Sequence, residues 1–137
     1  MKLGKVKTLS LAMCAAFMLF SVSAHAANKD FKFVLNSTTS KQSSTGVATK
    51  SLDGDVYAYV TPNASKSNLA IAGASVNFRV RDNAENYATE YVKCNAYKKY
   101  KLPYLEGKAV GGADYKLFAN VSTTNSYPVN LGGLWCP

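Results

Sequence analysis

Residues 75–81 read SVNFRVR. Val76, Phe78 and Val80 fall on one side of this run and Ser75, Asn77, Arg79 and Arg81 on the other. That period of two places alternate side chains on opposite faces of a pleated strand. A lone strand is not stable, and the chain supplies neighbours on both sides. Residues 30–36, DFKFVLN, alternate Phe31, Phe33 and Leu35 against Lys32, Val34 and Asn36. Residues 56–61, VYAYVT, mix β-branched and aromatic side chains between an Asp53-Gly54-Asp55 turn and the stop at Pro62-Asn63. Residues 114–121, DYKLFANV, set Tyr115, Leu117 and Ala119 opposite Lys116, Phe118 and Asn120. Residues 127–135, YPVNLGGLW, read as a last strand with a bulge expected at Gly132-Gly133.

The connecting stretches are polar. Residues 36–51, NSTTSKQSSTGVATKS, hold too few large apolar groups to offset the entropy of ordering them. They are expected to form a Ser/Thr-rich mobile loop or frayed edge, in which Val47 could nucleate a short edge strand. Residues 65–74 form a small-residue connection with an apolar centre at Leu69-Ala70-Ile71. Residues 82–97 carry two readings. Asn83 could cap a helix whose stripe is Tyr87, Tyr91 and Cys94, or residues 90–96 alternate as a strand. The strand is preferred, because its neighbours are strands and its aromatics suit a pleat. Six to seven short strands broken by turns point to an all-β fold, a small antiparallel β-sandwich.

Ahead of this domain, residues 1–26 have the layout of a cleaved signal peptide. Lys2, Lys5 and Lys7 precede an apolar run over residues 9–22, and Ala24-His25-Ala26 has the small-x-small form of a cleavage site. The run is about 14 residues, short of the roughly 20 that span a bilayer. Cys14 is preceded by Met13 inside the run, unlike a lipid-attachment cysteine. The expected product is a secreted single domain, residues 27–137, whose leader has a bacterial look. About 110 residues suffice for one modest core.

Cleavage changes the chemistry. His25 leaves with the leader, so the domain has no histidine, and Ser-His-Asp or Cys-His catalysis cannot be assembled. Asp53 with Asp55, or Asp82 with Glu85, are the only carboxylate pairs on offer for a small hydrolase; they read as turn residues. No enzyme, cofactor or metal site is expected. Two cysteines remain, Cys94 and Cys136. In an oxidising compartment they are a disulfide candidate closing a loop of about 43 residues, worth about 4 kcal/mol in chain-entropy terms. Three Asn-x-Ser/Thr acceptor patterns, at Asn36, Asn63 and Asn120, are chance matches in so polar a chain.

The domain keeps an excess of about five basic residues after losing the leader's three lysines. The densest cluster is residues 93–104. Lys93, Tyr97, Lys98, Lys99, Tyr100, Lys101 and Tyr104 are the candidate binding residues there. Lysines can meet phosphates or carboxylates, and tyrosines can stack on sugars. The partners this suggests are a cell-envelope polymer, an anionic membrane surface or a surface protein. Nucleic acid is disfavoured by export. Self-association through an exposed strand edge, as in a surface or coat subunit, is the alternative from another class.

Residues 114–121 (DYKLFANV), 122–126 (STTNS) and 127–135 (YPVNLGGLW) together resemble a group of small secreted bacterial proteins of unknown function, loosely grouped with bacteriocin-like peptides. The resemblance implies a leader, a compact β-sandwich and no cofactor or assigned active site. The chain differs from that pattern in ending Cys136-Pro137, and no functional residues carry over. A secreted, cationic, non-enzymatic binding protein is the expectation.

Overall fold

The computed structural model describes residues 28–36, 41–43, 46–69, 75–121 and 128–137; the predicted leader lies outside them. Among the described residues nine strands appear: β1 Lys29–Leu35, β2 Lys41–Ser43, β3 Ala48–Thr49, β4 Tyr57–Pro62, β5 Val76–Asp82, β6 Val92–Cys94, β7 Tyr100–Pro103, β8 Asp114–Val121 and β9 Val129–Cys136. All their pairings are antiparallel. Sheet one runs β1-β9-β4-β7, and sheet two runs β2-β8-β5-β6. The architecture is the expected all-β sandwich.

Alternation sends one face of every long strand inward. Phe31, Phe33 and Leu35 of β1 face Val76, Phe78 and Val80 of β5, all at most 5 % exposed. The Phe31 and Phe78 rings meet edge to face with centroids 5.7 Å apart, and Phe31 and Phe33 lie 5.4 Å apart. Tyr115, Leu117, Ala119 and Val121 of β8 and Val129, Leu131 and Trp135 of β9 complete the layer. Each fully buried large side chain contributes about 1.5–3 kcal/mol.

Three expectations are corrected. First, the stretch 36–51 carries, besides the short edge strand expected near Val47 (β3, paired with Asp114 and Tyr115), a further strand β2 paired with Phe118 to Asn120, so both occupy one edge of β8. Backbone hydrogen bonds to an open edge hold these two short strands without large apolar side chains. The strand total therefore exceeds six to seven. Second, Gly132 and Gly133 make no bulge, since β1 pairs through them in unbroken register. They permit close approach instead. A Cβ on Gly133 would lie 2.2 Å from the Thr61 carbonyl oxygen and 2.9 Å from Pro62 Cα.

Third, Cys94 and Cys136 are not joined by a disulfide. Cys94 sits on the edge strand of sheet two with its side chain in the core. Cys136 is in sheet one and shares the parity of the exposed Leu134, not of the inward Trp135. The two side chains leave their strands on different sides of the sandwich wall.

The ambiguous residues 82–97 form no helix: a turn at residues 83–85 leads into bridges at Tyr87 and Thr89 and then into β6. Arg81 bridges to Tyr87, and the Ala88 and Thr89 amides both donate to the Val80 carbonyl. Thr89 in turn bridges to Tyr104, and Leu105 N–H donates to Ala88 O at 2.9 Å. This segment thus stitches the β5–β6 edge of sheet two to the β7 edge of sheet one.

Candidate functional site

The basic and aromatic cluster sits where the chain crosses from β6 to β7. Tyr100 anchors the crossing. Its side chain is buried, and its hydroxyl accepts from the Asn95 and Ala96 amides at 3.2 and 3.1 Å while donating to Ala96 O. Burial pushes the Tyr100 phenol above its ordinary value. Tyr104 is also internal, its ring 5.3 Å from that of Tyr115. These two tyrosines position the cluster and do not face solvent.

Lys98, Lys99 and Lys101 are exposed. Lys101 lies directly opposite Tyr59 on β4, and Pro103 opposite Tyr57. Each lysine leans to the diagonal neighbour: Lys99 Nζ stands 4.1 Å from the Tyr59 ring centroid and Lys101 Nζ 5.3 Å from that of Tyr57. Diagonal pairs of this kind are within reach of long side chains on one sheet face. Lys98 covers the Tyr100 ring at 5.3 Å. Tyr97 is half-buried and lines an open hollow with Thr61, Pro62 and Leu134. Lys93 is the exception, because it projects from β6 in sheet two opposite Asn77.

The face so formed consists of Tyr57, Tyr59, Tyr97, Lys99 and Lys101, bordered by Leu134, which is 43 % exposed. Sequence reasoning missed Tyr57 and Tyr59. Their i, i+2 spacing in residues 56–61 marked a shared strand face, but nothing local indicated that β7 would pair beside it. Asp55 anchors one end. It accepts from the Tyr57 amide at 3.1 Å, and its hydrogen bond to the Tyr59 hydroxyl raises that phenol's pKa.

The carboxylate pairs are occupied in turns. Asp53 accepts from the Asp55 amide at 3.0 Å across Gly54, whose φ is +78°. Desolvation opposes the charge on Asp82, but the backbone and side-chain N–H groups of Asn86 outweigh it and hold the carboxyl below its ordinary range. Among the described residues no three His, Cys, Asp or Glu side chains gather as a metal site. Asn63 spends its side chain on Ser65, accepting from both its amide and its hydroxyl.

The arrangement offers ammonium groups held over aromatic rings on a flat sheet face. An ammonium on a ring keeps N–H donors toward solvent, where a phosphate or carboxylate oxygen can accept them. No protein-family model matches the chain, and no curated protein or solved structure matches it with significance.

Proposed function

We propose that the chain is an exported, non-catalytic binding protein whose outer face on sheet one holds an anionic, sugar-bearing polymer of the cell envelope. The observation that carries this reading is the pair of lysine–tyrosine stacks, Lys99 on Tyr59 and Lys101 on Tyr57. Two cations two residues apart at the start of β7 suit a repeating anion, and the tyrosines of β4 beside them suit sugar rings. The excess of about five basic residues that the domain keeps once residues 1–26 are removed favours the same class of partner. The envelope would be that of the producing cell or, in a bacteriocin-like role, of a neighbour.

Cosedimentation tests it. The chain lacking residues 1–26 should pellet with isolated cell walls at low salt and be released as salt rises, while K98Q/K99Q/K101Q stays in the supernatant. Neutral vesicles should retain neither protein. Vesicles with anionic lipid separate a membrane from a polymer as the source of negative charge. Equal retention of wild type and variant on walls would overturn the reading.

A second reading, a self-assembling surface subunit, has one observation in its favour. Among the described residues β1 borders sheet one, with seven residues, no proline and Val34 37 % exposed. Sedimentation velocity distinguishes it: a monomer at all concentrations removes it.

A further inference from the structure

The outer face of sheet two carries a construction of its own. Arg79 points outward from β5, yet is only 7 % exposed, because Tyr87 and Tyr91 enclose its guanidinium with both ring centroids 3.8 Å away. Arg81 stacks on the far side of Tyr87 at 4.9 Å and on Phe118 at 4.0 Å. The result is a five-member ladder, Tyr91–Arg79–Tyr87–Arg81–Phe118, alternating ring and cation across three ranks of the sheet.

As a mere cover for the sheet this ladder is expensive. The Nε atoms of both arginines are buried with no hydrogen-bond partner among the described residues, a cost that aliphatic side chains would avoid. Arg81 also stands directly opposite Lys116 on β8, and like charges so placed destabilise a pair of strands. Lys93 extends the same face beside Asn77. Among the described residues there, Arg79, Arg81, Lys93 and Lys116 outnumber Glu90, which lies 3.4 Å from Arg79, Glu85, which lines a hollow with Arg81 and Tyr87, and Asp114, which accepts from Thr49. Tyr87 remains 52 % exposed and Tyr91 37 %. An excess of cations interleaved with accessible rings repeats the chemistry of the sheet-one face on the opposite side of the sandwich.

We infer that sheet two's outer face is a second binding face for the same class of anionic, sugar-bearing polymer, so that one molecule bridges two polymer strands. This rests on the reading of sheet one given above. The two faces belong to different sheets packed back to back, so one strand cannot lie flat on both, and simultaneous occupancy links two strands. Two weak faces on one rigid body also raise avidity without any new contact.

Beads coated with polygalacturonate provide the test, with the mature chain read for bound protein and for bead clustering by turbidity. Wild type should bind and cluster the beads at sub-saturating concentration. K93Q/K116Q, which leaves the ladder intact, should bind within about threefold of wild type but lose most of the clustering, and Y91S should do the same. K99Q/K101Q should likewise stop clustering while retaining part of the binding through sheet two. Clustering unchanged in both sheet-two variants would overturn the second face, and would point to self-association as the source of cross-links. Binding by wild type with no clustering at any concentration would also overturn it. Absence of wild-type binding to these beads and to cell walls alike would instead remove the reading of sheet one, and the second face with it.

Discussion

Lys99 and Tyr59 come from opposite ends of the domain's middle half, yet the lysine ammonium stands 4.1 Å from the centre of the tyrosine ring. The contact exists because β7 pairs with β4 in a register that sets Lys101 beside Tyr59 and leaves Lys99 one diagonal step away. An exposed cation–π contact stabilises by only about 0.5–1 kcal/mol. Lys99→Gln is therefore expected to change unfolding free energy by less than about 1 kcal/mol, measured by urea denaturation. Its effect on polymer retention should be several times larger in proportion. A variant that unfolds instead would show the lysine to be structural.

Gly133 is the position least tolerant of a side chain. A methyl group there would overlap the Thr61 carbonyl and force β4 away from β9. Gly133→Ala should cost more than about 3 kcal/mol or prevent folding, by the overpacking mechanism. Gly46→Ala, with no heavy atom within 4 Å of the added carbon, should stay within about 0.5 kcal/mol of wild type. Thermal unfolding of the two variants compares them directly.

Glu85 occupies the left-handed region with φ 66°, a conformation that costs a residue with a Cβ about 1–2 kcal/mol. It closes a three-residue hairpin in which Glu85 N–H donates to Asp82 O at 2.9 Å and Asp82 N–H to Asn86 O at 3.0 Å. Glycine is the usual occupant of that position. Glu85→Gly should raise stability by about 1 kcal/mol, read from the denaturation midpoint. A loss would mean that the Glu85 side chain holds a contact of its own.

Tyr104 ties stability to alkaline pH. Its hydroxyl is buried without a hydrogen-bond partner among the described residues, and burial pushes its pKa well above the ordinary value of about 10. The unfolded phenol ionises first, so the native state holds the extra proton, and the stabilisation present below about pH 10 is lost as pH rises further. Tyr104→Phe removes the unpaired hydroxyl and this pH dependence together. It should equal or exceed wild type at pH 7, by up to about 1 kcal/mol. It should also lose less stability between pH 8 and 11.

The two thiols should differ in reactivity. Cys94 is fully buried and Cys136 partly so, and desolvation raises both pKa values, with Lys50 opposing the rise at Cys136. Alkylation of the native chain at pH 8 without reductant should modify Cys136 slowly and Cys94 only after unfolding. Mass spectrometry showing both cysteines unmodified after unfolding without reductant would contradict this expectation.

Much of this fold was legible locally. Period-two alternation in residues 30–36, 75–81 and 114–121 placed the inward set correctly, because a strand with one buried face leaves no freedom of register. What alternation could not reveal was decided by partners distant in sequence. β2 and β3 are ordered by the edge of β8, Gly132 by the approach of Lys66, Gly133 by the approach of β4, and Cys136 by the parity of β9. Arg79 shows the same limit: its outward direction was readable, but its concealment between Tyr87 and Tyr91 depends on how residues 83–91 fold back along β5. The candidate site followed suit, with its lysines visible in one short run and their tyrosine partners on another strand.

The most direct test is a titration of isotope-labelled mature chain with soluble polygalacturonate, followed residue by residue in amide NMR spectra at low and high salt. Shifts concentrated at Tyr57, Tyr59, Lys99 and Lys101, and abolished by salt, are the predicted result. No shifts, or shifts confined to residues away from this face, would contradict the account.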